Sequence, residues 1–252
     1  MKCKIVNQER KYIKPLLVSK RHSSTFYIAV RLVTKLYFVR HGKTEWNNQG
    51  RYQGANGDSP LLPESFEQIK ALAEYLHGIP FAHAYVSPLK RARVTAQTLI
   101  KDLNETIPLT VMPALREFNL GKMEGMTFSD VAKHFPEELH AFRHEPAAYD
   151  PRKIHGESFP QLINRAIPAI VATVAMDRTG EANLLYVSHG AALAAVIQSL
   201  LGTPLAEIRK DGGLTNSSVT ILQADGPSLP FKLIDWNETG FLPEPPKPTD
   251  TI

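Results

Sequence analysis

Leu36-Tyr37-Phe38-Val39 runs directly into Arg40-His41-Gly42-Lys43-Thr44. Four consecutive apolar β-formers predict a short strand buried on both faces. Such a strand belongs to a parallel sheet that helices cover on each side. The polar residues after it then stand at its carboxyl end, where open α/β sheets bind their ligands.

The same pattern recurs twice. Residues 82–86 predict a second strand, followed by Ser87-Pro88-Leu89-Lys90-Arg91-Ala92, and Leu184-Leu185-Tyr186-Val187 predicts a third, followed by Ser188-His189-Gly190. Between them lie helical patterns. Glu64–Leu76 carries Phe66, Ile69, Leu72, Ala73 and Leu76 on one face. Ser87-Pro88 predicts a capped helix start, with Leu89, Ala92, Ala96, Leu99, Ile100 and Leu103 facing the core. Ser158 and Gln161 predict a capping box for a helix that Pro168 should kink. Ala191–Leu201 is an apolar helix closed by Gly202. Leu109–Met112 is a further short strand, and Val219–Leu222 with Phe231–Ile234 predicts a late hairpin. Alternating strands and helices indicate an α/β fold with a mostly parallel sheet.

In a parallel sheet the three polar strand ends share one edge. Arg40, His41, Arg91 and His189 therefore converge without a metal-ligand set. Arginine presents a planar fork that matches phosphate. The helix that begins after His189 offers free N–H groups to an anion. Arginines beside an imidazole disfavour its protonated form, so His41 is expected to be neutral and nucleophilic. Phosphoryl transfer to it needs a proton donor for the leaving oxygen, and Glu117 in Leu115-Arg116-Glu117 is the best carboxyl candidate, with Glu124 and Glu157 nearby in sequence.

These motifs resemble those of the histidine phosphatase superfamily, which includes the cofactor-dependent phosphoglycerate mutases. Arg40-His41-Gly42-Lys43-Thr44-Glu45-Trp46-Asn47 resembles RHGxTxxN, and Arg51-Tyr52-Gln53-Gly54 resembles RxQG. Ser87 to Ala96 resembles SxLxRAxxTA, and Leu115-Arg116-Glu117 with Gly121 and Glu124-Gly125 resembles LRE…GxxEG. Gly156-Glu157-Ser158 and Val187-Ser188-His189-Gly190 resemble GES and VSHG. Together they span about residues 35–223. The resemblance implies a three-layer α/β/α domain with residues 113–157 partly capping the site. It implies His41 as the phosphorylated residue and Glu117 as proton donor. Arg40, Arg91 and His189 would form the phosphate pocket, with Asn47, Gln53, Gly54 and Gly190 lining it. For a phosphatase it implies no metal and no organic cofactor.

The implied activity is hydrolysis of a small-molecule phosphate ester. Mutases of the superfamily carry a longer insertion after the acid and typically read NERHYG around it, whereas Arg116 to Gly125 is compact. A mutase is the alternative, and a non-catalytic phosphate-binding module on the same fold is the third reading. Leu61 to Phe66 departs from the family's LTxxG, which alters a helix start and not the pocket.

The 252 residues are 43% hydrophobic and 21% charged, an ordinary globular composition. No apolar run approaches the ~20 residues that span a bilayer. Cys3 is the only cysteine, which excludes an internal disulfide framework and fits a cytoplasmic protein. Residues 1–34 carry eight basic residues against Glu9 alone, leaving the rest with 21 basic and 24 acidic residues. The basic pI of about 9.1 thus belongs to an N-terminal extension, and no nucleic-acid partner is expected. The catalytic domain is expected over 35–240, with an unstructured Pro-rich tail over 241–252. His134, His140 and His144 lack the glutamate that a helical metal motif requires, so no metal site is expected there.

Overall fold

The computed structural model describes residues 33–247 and Asp250. The expectation of an N-terminal extension falls on residues 1–34 and lies almost wholly outside them.

Six strands form one sheet. They are β1 (Thr34–Arg40), β2 (Phe81–Val86), β3 (Leu109–Val111), β4 (Asn183–Ser188), β5 (Val219–Ala224) and β6 (Lys232–Glu238). The order is β3-β2-β4-β1-β5-β6. β3, β2, β4 and β1 run parallel, while β5 pairs antiparallel with both β1 and β6. The sheet is mostly parallel, as expected, and the late hairpin forms its antiparallel edge.

Period-two alternation along β1 divides the molecule into layers. Tyr37 and Val39 join a core with Leu72 from α2 (Pro63–Tyr75) and with Ala92, Ala96 and Leu99 from α3 (Lys90–Leu103). Leu36 and Phe38 face the other way. They pack with Leu162, Ala166 and Ile170 of α6 (Phe159–Met176) and the buried residues of α7 (Gly190–Leu200). This is the three-layer α/β/α arrangement. α6 is long and apolar enough to cross a membrane by length and composition, but its apolar face is spent on the core.

One helix start differs from expectation. α6 opens on the expected Ser158–Gln161 capping box and runs on through Pro168, which is exposed. α3, however, begins at Lys90 and not at Ser87. Its end is capped from a distant loop, where Asp58 accepts from the N–H groups of Lys90 (2.7 Å) and Arg91 (3.4 Å). Ser87 Oγ accepts from the Leu89 N–H just ahead of the helix, at 3.3 Å, and not from a helical N–H.

The segment 113–157 holds α4 (Phe128–His134) and α5 (Pro136–His144) between irregular stretches. Phe118, Phe142, Tyr149 and Phe159 meet there mostly edge to face, with centroids 4.9–5.5 Å apart. Most aromatics of this segment are therefore core, and Phe142 reaches the pocket.

Of the tail expected to be unstructured, residues 241–247 and Asp250 are described, and Phe241 and Asp250 among them make defined contacts. Phe241 stacks on Tyr75 at 4.8 Å, and Asp250 is buried behind β1. Its carbonyl accepts from Arg40 Nη1 (2.6 Å) and from the Asn216 amide (2.9 Å).

Candidate active site

A narrow pocket with about 20 Å³ of room for water-sized groups opens at the carboxyl ends of β1, β2 and β4. His41, Asn47, Tyr52, Gln53, Gly54, Arg91, Glu117, Leu120, Phe142, Gly190 and Ala191 line it.

His41 follows the last residue of β1 and is 3% exposed. Its Nδ1 lies 2.8 Å from the carbonyl of its neighbour Gly42. A carbonyl only accepts, so Nδ1 carries the proton and the lone pair of the neutral ring sits on Nε2. Burial is the largest cause holding the imidazole well below the usual histidine range, followed by the charges of Arg91 and then Arg40. The neutral ring was expected from the arginines. Burial contributes more than they do.

Arg91 stands one residue inside α3, and four of the five N–H groups of its guanidinium are engaged, leaving one on Nη2. Nε donates to His41 Nε2 at 3.3 Å, Nη2 to the Gly54 carbonyl at 2.9 Å, and Nη1 to the Gly57 carbonyl at 2.8 Å and Asp58 at 3.2 Å. Arg40 donates through Nη1 to the carbonyls of Leu214 and Asp250. Its Nε and Nη2 are buried without a partner among the described residues. Gly190 makes room for this guanidinium, because a Cβ there would lie 2.9 Å from Arg40 Nε.

His189 caps α7, with Nε2 2.7 Å from Ser87 Oγ and its ring centroid 5.2 Å from that of His41. Ser87 was expected to cap α3; it braces His189 instead. His189 Nδ1 and Asn47 Nδ2 are also buried without a partner among the described residues. Unsatisfied buried donors are costly and rare. Several at one place, beside two guanidinium groups, form a receptor for an anion.

Glu117 is 6% exposed. Its carboxylate accepts from the N–H groups of Phe118 (2.9 Å), Ala191 (3.2 Å) and Ala192 (2.7 Å). This corrects one expectation. The N-terminus of α7 was assigned to the phosphate, yet Glu117 occupies it. The carboxyl alternatives are committed to structure. Glu124 accepts from the amides of Ala55, Asn56, Gly57 and Leu120, and it clamps the loop that carries Gly54 and Asp58. A Cβ on Gly54, whose φ is +61°, would lie 2.2 Å from Glu124 Oε1. Glu157 receives both Nε and Nη2 of Arg165, at 2.7 and 2.9 Å. Arg165 also donates to the carbonyls of Ala114, Arg116 and Glu117, and so anchors the strap that bears Glu117.

Asn47 and Gln53 both reach Thr44. Asn47 Oδ1 accepts from the Thr44 amide and hydroxyl, and Gln53 Nε2 donates to Thr44 Oγ1 at 2.8 Å. Seven of the nine residues singled out from sequence line this pocket, while Arg40 and His189 do not and instead pack against Gly190 and His41, which do. Asp58, Ser87 and Asp250, together with the Arg165–Glu157 pair, were not assigned these roles. Asp58 and Arg165 carry no local signal, since their partners lie 32 or more residues away or across the strap. No group of three or more His, Cys, Asp or Glu converges on a metal-sized centre among the described residues.

A profile of the histidine phosphatase superfamily (branch 1) matches residues 36–239. The chain belongs to this superfamily. It is 31% identical over 186 residues to a Caenorhabditis elegans 6-phosphofructo-2-kinase/fructose-2,6-bisphosphatase, covering 73% of this chain and 38% of that one. It is 30% identical to the probable phosphoglycerate mutase GpmB of Salmonella paratyphi A, covering 83% and 91% of the two chains. It is 29% identical to the adenosylcobalamin/alpha-ribazole phosphatase of Escherichia coli K12, covering 68% and 80%. Among solved structures, Bacillus stearothermophilus YhfR superposes with a TM-score of 0.74 at 31% identity, over 82% of this chain and 98% of that one. A mycobacterial glucosyl-3-phosphoglycerate phosphatase gives 0.73 at 28% identity, over 82% and 100%. Phosphatases and mutases of the superfamily are thus both among its relatives.

Proposed function

We propose that the chain is a phosphomonoesterase that hydrolyses a small organic phosphate ester through a phosphohistidine on His41. The observation that carries this reading is the Nε2 lone pair of a buried neutral imidazole, set among unsatisfied donors and two guanidinium groups. Arg40, Arg91, His189 and Asn47 hold the three non-bridging oxygens. Nε2 attacks phosphorus, the P–N bond forms and the P–O ester bond breaks. The leaving alkoxide takes a proton from Glu117. Water then attacks the phosphohistidine, Glu117 takes a proton from it, the P–N bond breaks and inorganic phosphate departs. The arginines hold the charge that develops on the phosphoryl oxygens.

The GpmB relative and the shared phosphohistidine chemistry favour a mutase as the second reading. The compact stretch from Arg116 to Gly125 favours hydrolysis. Phosphate release from para-nitrophenyl phosphate, with 3-phosphoglycerate isomerisation assayed alongside, separates them. Release that falls by about 10³-fold or more in His41→Ala supports the proposal. Isomerisation faster than release identifies a mutase. Release that survives in His41→Ala removes the nucleophile.

A further inference from the structure

The segment after α7 passes behind Arg40 through Leu214 and carries Arg209 to the cap over the pocket. The Arg209 guanidinium lies over Phe142, with Cζ 5.5 Å from the ring centroid. Phe142 is one wall of the pocket. Arg209 Nε and Nη1 are shut away from solvent and have no hydrogen-bond partner among the described residues. Burial lowers its pKa most, while the charges of Glu117 and Tyr52, which both line the pocket, act in the opposite sense.

A second guanidinium stands nearby. Arg143 Nη2 donates to the hydroxyl of Tyr52 at 2.6 Å, and its Cζ lies 5.9 Å from the Tyr52 centroid and 5.7 Å from that of Phe128. Its charge adds to the depression of the Arg209 pKa. Neither arginine has a carboxylate partner among the described residues. Arg40 and Arg91 already serve the phosphoryl group, so this second pair has no role in the chemistry at His41. Neither arginine is itself a lining residue; Arg209 backs Phe142 and Arg143 backs Tyr52, and two like charges so placed, one with idle buried donors, are costly unless an anion joins them.

On the basis of the phosphatase reading, we propose that Arg209 and Arg143 form a second anion subsite at the mouth of the pocket. The substrate is then a phosphate monoester with a second acidic group, a carboxylate or another phosphate. Either fits a guanidinium fork. Arg209 stacked on Phe142 places that group across the apolar wall from the reacting phosphorus.

The test compares esters that differ in the second acid. 3-Phosphoglycerate is paired with glycerol 3-phosphate, and fructose 1,6-bisphosphate with fructose 6-phosphate. Each is measured by kcat/KM, or by inhibition of para-nitrophenyl phosphate hydrolysis where it is not turned over. In the wild type at least one diacidic probe should be preferred about tenfold or more, as one charged hydrogen bond implies. Arg209→Ala should collapse that preference through KM rather than kcat, and Arg209→Lys should restore part of it. Arg209→Gln replaces the alanine variant if the latter melts at a lower temperature. A wild type indifferent to the second acid in both pairs overturns the subsite, and so does a preference that survives in Arg209→Ala. A wild type that hydrolyses para-nitrophenyl phosphate while ignoring the second acid loses only the subsite. One that releases phosphate from none of the five esters loses the phosphatase reading itself.

Discussion

Arg91 Nε lies 3.3 Å from His41 Nε2, so a fixed cation donates to the atom that the proposed mechanism uses as its nucleophile. The contact aligns the ring and penalises its protonation, and the guanidinium is already placed for the arriving phosphoryl oxygens. The loop 54–58 sustains it by supplying two carbonyls and Asp58 to other donors of the same arginine.

His41 should remain neutral well below pH 6.5, because burial, Arg91 and Arg40 all lower its pKa. Its ring C–H resonances in an NMR titration should stay at neutral-form shifts near pH 6. In Arg91→Ala they should titrate closer to the ordinary histidine value. Identical titrations in the two proteins would assign the shift to burial and Arg40.

Stability should follow the same residues. His41 and His189 both have folded pKa values depressed below 6.5, chiefly by burial. Below 6.5 the unfolded chain binds protons that the folded chain refuses, so stability rises with pH in that window. The contribution is intact above 6.5 and is lost progressively as pH falls towards the lowered values. Melting temperatures should therefore drop from pH 7.5 to 5.5, and the drop should be smaller in the His41→Gln, His189→Gln double variant.

Glu117→Gln keeps most of the geometry at the start of α7 but cannot deliver a proton. Hydrolysis of alkyl phosphates should slow about 10²–10⁴-fold, and that of para-nitrophenyl phosphate much less. Equal slowing of good and poor leaving groups would assign the acid elsewhere.

Arg165 touches no lining residue through its charge except the Glu117 carbonyl, yet it ties four partners together. Arg165→Lys cannot make the two-pronged contact with Glu157. A loss of about 1–3 kcal/mol in stability is expected. The fall in kcat should be steeper for alkyl than for aryl esters, since Glu117 is the group displaced. Kinetics unchanged alongside reduced stability would limit Arg165 to a structural brace.

Under the proposed mechanism the tail acts on the site through Arg40. Ending the chain after Gly240 removes the Asp250 carbonyl from Arg40 Nη1 and the carboxylate 2.7 Å from Lys43 Nζ. A fall of about tenfold in kcat/KM for para-nitrophenyl phosphate is expected, the scale of one charge-assisted contact. Asp250→Asn, which keeps the carbonyl, should lose less.

The sequence by itself determined the layers and which polar residues converge at the sheet edge. Leu36 to Val39, the helix over 63–75 and the strand over 184–187 are legible because their apolar periods are local. His41, Arg91 and His189 are legible because each directly follows a strand or opens a helix, and parallel pairing forces such positions to one edge. Tertiary structure alone decided what holds those groups in place. Asp58 caps a helix 32 residues away, Ser87 braces His189 across the sheet, Glu117 takes the helix end that a phosphate could have used, and Asp250 returns from the far end of the chain to Arg40. Periodicity reports which face of an element is buried. It carries no record of which polar partner, separated by tens or hundreds of residues, satisfies a donor once that face is closed.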